Sequence, residues 1–195
     1  MKINEIITEG LNEVEEIDYI SHKKGKQHHD DPTNKDDLER LGAVIVGRMK
    51  SGHTIYVEKS KDSSSWTSYY ALSPTGLVDL ALGGYEKKNV LSDLNLYAIN
   101  KANTLKAHDF YHFLITKLNK VLVADRQSPG GHAVWKQMQK FHKDINIHGW
   151  LKGKPVNIDM NDDEYTHAPE HSDYLSDVSP ETSDAMKMQL VASKK

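Results

Sequence analysis

Residues 94 to 135 read LNLYAINKANTLKAHDFYHFLITKLNKVLVADRQSPGGHAVW, an apolar extended run, a helical stretch, a second apolar run and a second helix start. Thr104 stands where an N-cap belongs, and Phe110, Phe113, Leu114 and Leu118 form an apolar stripe, so the spacing predicts a helix over 105–119. VLVA, residues 121–124, is a short apolar run of the kind buried on both faces of a sheet. Ser128-Pro129 supplies a cap and a first-turn proline for a second helix, with Val134, Trp135, Met138 and Phe141 on one side. Strand, helix, strand and helix in that order predict a parallel strand pair joined by a crossover.

Working outward, AVIVGRM and HTIYVEK flank Lys50-Ser51-Gly52 and predict a hairpin. SWTSYYALS and GLVDLALGGYEK add two more strands, LSDLNLYAI is a further apolar run, and Gly83-Gly84 marks a bulge or a close backbone approach. Downstream, INIHGWLKGKPVNI, residues 145–158, predicts a closing hairpin turned near Lys152-Gly153. The fold class is therefore α/β in the α+β sense, a mixed sheet flanked by helices over residues 41–158. Residues 1–21 form an amphipathic helical segment and 22–40 a polar linker that closes on a short helix after Pro32. Residues 159–195 read as a largely irregular, flexible acidic tail, with nine acidic residues against three basic ones.

With no cysteine, the chain has neither a disulfide framework nor a thiolate nucleophile. No apolar run reaches the length of about 20 residues that a bilayer-spanning helix requires. The net charge of −3 comes without a Lys/Arg stripe, so neither a membrane nor a nucleic acid is indicated as a partner.

On the order and motifs of residues 94–150, the chain resembles the GNAT family of N-acetyltransferases. That resemblance implies acetyl-CoA as cofactor, with its diphosphate held by backbone amides at a helix N-terminus. Carried onto this chain, the cofactor-binding residues are Asn103, Thr104, Lys106 and Ala107 at the first helix start and Ser128, Gly130 and Gly131 at the second. Acyl transfer to an amine needs a base and an acid; Asp93, Tyr111 and His132 are the candidates. The loop Asn103 to His108 departs from the family pattern in having no glycine, so the backbone approaches phosphates less freely. Two readings stay open: an acyl-CoA-dependent transferase, and a protein that keeps the fold without the catalysis and acts by contact with a virion or host component.

Met1-Lys2-Ile3-Asn4-Glu5-Ile6-Ile7-Thr8-Glu9-Gly10 resembles the capsid-targeting peptides of internal proteins of T-even-like bacteriophages. Ser128-Pro129-Gly130-Gly131 before Trp135 resembles a group of bacteriophage proteins as well. These resemblances imply a phage protein of the host cytoplasm or virion interior, with a capsid or host protein as partner and cleavage after Glu9.

Three other groups bear on chemistry. His108 and His112 share a helix face at i and i+4, with Asp109 beside them, and His132, His142 and His148 are available as a third zinc ligand. The plainer reading, surface or capping histidines and no metal, is the one adopted. His28-His29-Asp30-Asp31 in the linker reads as solvated, and Asp125-Arg126 as a local ion pair at a strand's carboxyl end.

Overall fold

The computed structural model describes residues 31–60, 65–100, 102, 104–124, 129–151, 154–158, 160 and 189–195. The amphipathic segment 1–21, residues 22–30 of the linker, Asn103, Asp125-Arg126, Ser128 and most of the acidic stretch lie outside the described residues.

A nine-stranded mixed sheet carries the fold. Helix α1 (Lys35–Leu41) precedes β1 (Val44–Arg48), β2 (Thr54–Lys59), β3 (Trp66–Leu72), β4 (Val78–Lys87) and β5 (Val90–Ala98). Then come α2 (Ala107–Lys117), β6 (Val121–Ala124), α3 (Pro129–Phe141), β7 (Ile145–Leu151), β8 (Lys154–Val156) and β9 (Gln189–Lys194). In the sheet the order is β1-β2-β3-β4-β5-β6-β9-β7-β8. Every pairing is antiparallel except β5 with β6, the parallel pair predicted across the helical crossover.

Strand alternation divides the core. Ile55, Val57, Tyr69, Ala71, Leu80 and Leu82 point to one face, where they pack with Phe110, Leu114, Ile115, Trp135 and Met138 of α2 and α3. Their sequence neighbours Tyr56, Tyr70, Leu72 and Ala81 point to the other face, where Leu38 of α1 covers them. The expected short helix after Pro32 is thus a docked element: Asn34 caps it by accepting from Asp37 N–H at 3.1 Å, and Gly42 closes it at φ +79°. His53, Asp79 and Asn100 tie this end together beneath the surface. The His53 ring lies 3.0 Å from Asp79 Oδ2, and Asn100 Nδ2 donates to Asp79 Oδ1 at 2.8 Å.

Three sequence expectations are corrected. The chain's last residues are not part of an irregular tail: Gln189–Lys194 form β9, inserted between β6 and β7 with Leu122↔Ala192 and Ile147↔Ala192 in register. Leu190, Val191 and Ala192 are all buried, as a strand covered on both faces requires. The first crossover helix begins at Ala107, and Thr104 does not cap it, because Leu105 is drawn into the core and the backbone stays extended through Lys106. Phe141 is not a core residue; it is exposed at the end of α3 and stacks on His108.

Because Val191 is fully buried among Val90, Val121, Val123 and Trp150, an aspartate there would lose its hydration. The substitution Val191→Asp should lower the unfolding free energy of the full chain by at least about 3 kcal/mol in urea titration; an unchanged midpoint would place this strand outside the folded core.

Candidate functional site: the cleft between β5 and β6

β5 and β6 start together and then separate. Their pairing is limited to Val90↔Val121 and Leu91↔Leu122. This end is fastened by Val121 N–H donating to Asn89 O at 2.9 Å and by Asn89 Nδ2 donating to Asn119 O at 3.2 Å. Beneath it Lys120 Nζ meets Glu86 Oε1 at 2.6 Å, and Tyr69 O–H donates to Glu86 Oε2 at 2.7 Å. Both charges of this pair are largely buried, so each needs the other.

Beyond the fastened end, an irregularity in β5 turns the strand away. Gly83 pairs with Asn95 and Tyr85 with Ser92, which leaves both Asp93 and Leu94 opposite Gly84. That is one extra residue on β5, a bulge, and Asp93 takes a left-handed φ of +51° to accommodate it. The glycines opposite are there for space. A Cβ on Gly84 would lie 2.6 Å from Ser92 O, and one on Gly83 2.5 Å from the Trp66 ring. Of the two alternatives expected at Gly83-Gly84, the close backbone approach occurs at Gly84, while the bulge's extra residue lies on the facing strand β5.

The divergence opens a cavity of about 390 Å³, within the range typical of small-molecule sites. One wall is β5 from Leu94 to Ala98, with Leu80 of β4 behind it. Ala124, at the carboxyl end of β6, faces it. The two helix starts close the remaining sides: Ala107 and Tyr111 of α2, then Gly130, Gly131, Val134 and Trp135 of α3. Trp135 is buried and meets Tyr111 edge-on, with centroids 6.1 Å apart.

The backbone of β5 gives this wall its polarity. Ile99 N–H donates to Asp79 O at 3.0 Å, so alternation back along the strand directs the amides of Tyr97 and Asn95 toward β4. The N–H and C=O groups of Leu96 and Ala98 therefore face the side that β6 has left. A β edge of that kind accepts an extended, amide-bearing ligand as if it were another strand.

Of the residues the sequence analysis singled out, Ala107, Tyr111, Gly130 and Gly131 come together on the cavity. Thr104 and Lys106 are exposed in the segment leading into α2. Tyr111 is deeply buried, and burial pushes its hydroxyl well above the usual phenol range, so the group stays protonated. Asp93 lies at the bulge and Leu94, its neighbour, lines the cavity. His132 is turned inward, with Nε2 3.1 Å from Met160 O and 2% of its surface exposed. Leu80, Leu96, Ala124 and Val134 were not anticipated as lining residues, since only the sheet's tertiary curvature brings them to one place. Asp31 of the linker cluster accepts from Tyr97 O–H at 3.1 Å.

Ser51, His53 and Asp79 form a second, distinct line of contacts, with Ser51 Oγ 2.9 Å from His53 Nδ1. Since His53 and Asp79 are buried on the α1 side of the sheet, this line secures the β1–β2 turn to β4. Compared with known protein families, curated proteins and solved structures, the chain matches none. No helix among the described residues is long and apolar enough to cross a membrane.

Proposed function

We propose that the cleft between β5 and β6 is an acyl-CoA seat, and that the chain is a GNAT-type protein of bacteriophage origin that transfers an acyl group to an amine. The observation that carries this reading is the divergence of two parallel neighbours, with both helix N-termini on the resulting cavity. The amide groups of Leu96 and Ala98 would bond the pantetheine arm, whose two amides suit a strand edge. The first-turn amides of α2 and α3 favour the diphosphate, and Lys106 adds a positive charge at the entrance.

For the chemistry, Tyr111 is the cleft residue able to hand a proton to a departing thiolate, because its hydroxyl is kept protonated. Asp93, half-exposed at the bulge, is the candidate base for the incoming amine.

A second reading, a fold retained without catalysis in a virion-associated or host-interacting protein, is favoured by the inward position of His132 and by the glycine-free stretch before α2. Within either reading the first ten residues carry the capsid address. Mass spectrometry of purified particles should then find chains that begin at Gly10, and chains retaining Met1 there would exclude cleavage at that site.

Calorimetry with acetyl-CoA separates the two readings. The first expects one site per chain, weakened at least about tenfold by Gly130→Asp, because a carboxylate at the helix start repels the diphosphate. That substitution should preserve folding, since an acidic residue in the first turn favours the helix, and Gly130→Lys should bind as well as the parent. Absence of binding at millimolar acetyl-CoA would remove the acyl-CoA reading and leave the second.

A further inference from the structure

Away from the cleft, three histidines and two aspartates from α2, the end of α3 and the start of β7 meet in one cluster. His108 and Asp109 stand in the first turn of α2 and His112 one turn later; His142 follows α3 directly, and Asp144 precedes β7. His108 Nδ1 lies 3.0 Å from His142 Nε2. The same Asp109 oxygen lies 3.3 Å from His108 Nδ1 and 3.2 Å from His142 Nε2.

Those three separations describe a nearly equilateral triangle, which a single proton on a ring nitrogen beside an ionised carboxylate satisfies only in part. One proton shared from His142 leaves the His108 lone pair against the carboxylate. A proton on each ring brings two N–H groups face to face. A cation above the centre satisfies all three edges together. For ligands about 2.0–2.1 Å from a tetrahedral ion the edges should be about 3.3–3.4 Å, close to the spacing here.

The surroundings hold the rings in this attitude. The imidazole of His112 stacks on that of His142 at 4.0 Å and 12°, and its Nε2 lies 2.9 Å from both oxygens of Asp144. Phe141 stacks on the far side of His108 at 5.3 Å, which leaves the His108 side chain only 5% exposed despite its place in a first turn. Asp109 is 43% exposed, so the fourth corner opens to water.

From this convergence we infer that His108, Asp109 and His142 form a binding site for a divalent transition-metal ion, completed by solvent, with the His112–Asp144 pair orienting His142. Two imidazole nitrogens and one carboxylate suit zinc and its neighbours; magnesium and calcium prefer all-oxygen sets. The ion would join the start of α2 to the end of α3, whose bodies also meet through apolar contacts such as Tyr111 with Trp135.

The test uses the full chain, stripped with a chelator, dialysed and titrated with zinc chloride. One ion per chain should bind, His142→Gln should weaken it at least about a hundredfold and Asp109→Asn about tenfold or more. Replacing His28 and His29 with glutamine should leave that site unchanged, because its protein ligands are His108, Asp109 and His142. Cobalt(II) gives a second readout: the intense visible bands of a four-coordinate ion should appear in the parent and be absent in His142→Gln, with far-UV circular dichroism unaltered. Asp109→Asn, at a half-exposed position, provides the same comparison should His142→Gln fail to fold. Zinc uptake that neither substitution alters, or a parent chain that takes up no zinc, would overturn the assignment.

Discussion

The opposed treatment of the two ends of β5 governs this structure. At its start, Asn89 fastens the strand to β6, and Glu86, gripped by Lys120 and Tyr69, anchors the adjoining ends of β4 and β6. Three residues later the strand carries one residue more than its partner β4, and it can only keep that pairing by bending. A sheet held at one place and bent beside it must open on the unheld side. The opening lies at the carboxyl end of a parallel pair, where crossover helices deliver their N-termini, so polar backbone groups and helix dipoles converge without any special side chain.

Closure of the opposite edge comes from the far end of the chain. β6 is only four residues long and touches β5 at two positions, so it needs a full partner on its other side. β9 provides it, pairing at once with β6 and β7. Val121, Val123, Val191 and Trp150 then form a small apolar group on one face while Leu122, Leu190 and Ala192 join the main core on the other. The cleft thus depends on contacts between residues far apart in sequence.

Much of this fold was legible before any coordinates. Apolar, β-branched and aromatic runs located β1 to β5, the Lys50-Ser51-Gly52 turn located the first hairpin, and the order of residues 94–135 required the parallel pair. The misreadings have physical causes. Gln189–Lys194 is a six-residue run after a long acidic stretch, with consecutive apolar residues and no alternation, so nothing local distinguishes a doubly covered strand from a tail. Thr104 is a good cap by composition, but burial of Leu105 outweighs a capping bond, and the helix starts later. Phe141 continues the stripe of Met138 by spacing, yet α3 has passed the edge of the core at that point, and the ring packs on His108 instead. The site was half legible for the same reason. Order along the chain brought Ala107, Gly130 and Gly131 together, whereas the left-handed turn at Asp93, the inward rotation of His132 and the choice of His142 as neighbour of His108 are set by tertiary packing alone.

The decisive quantity is whether the edge of β5 is open, and site-resolved amide hydrogen exchange along Asn95–Ala98 reads it directly. An open edge predicts slow exchange at Asn95 and Tyr97, bonded to β4, with fast exchange at Leu96 and Ala98 that slows when acetyl-CoA is added. Equal protection of all four amides in the free protein would mean that β5 is bonded on both sides, and there would be no cleft for a ligand to enter.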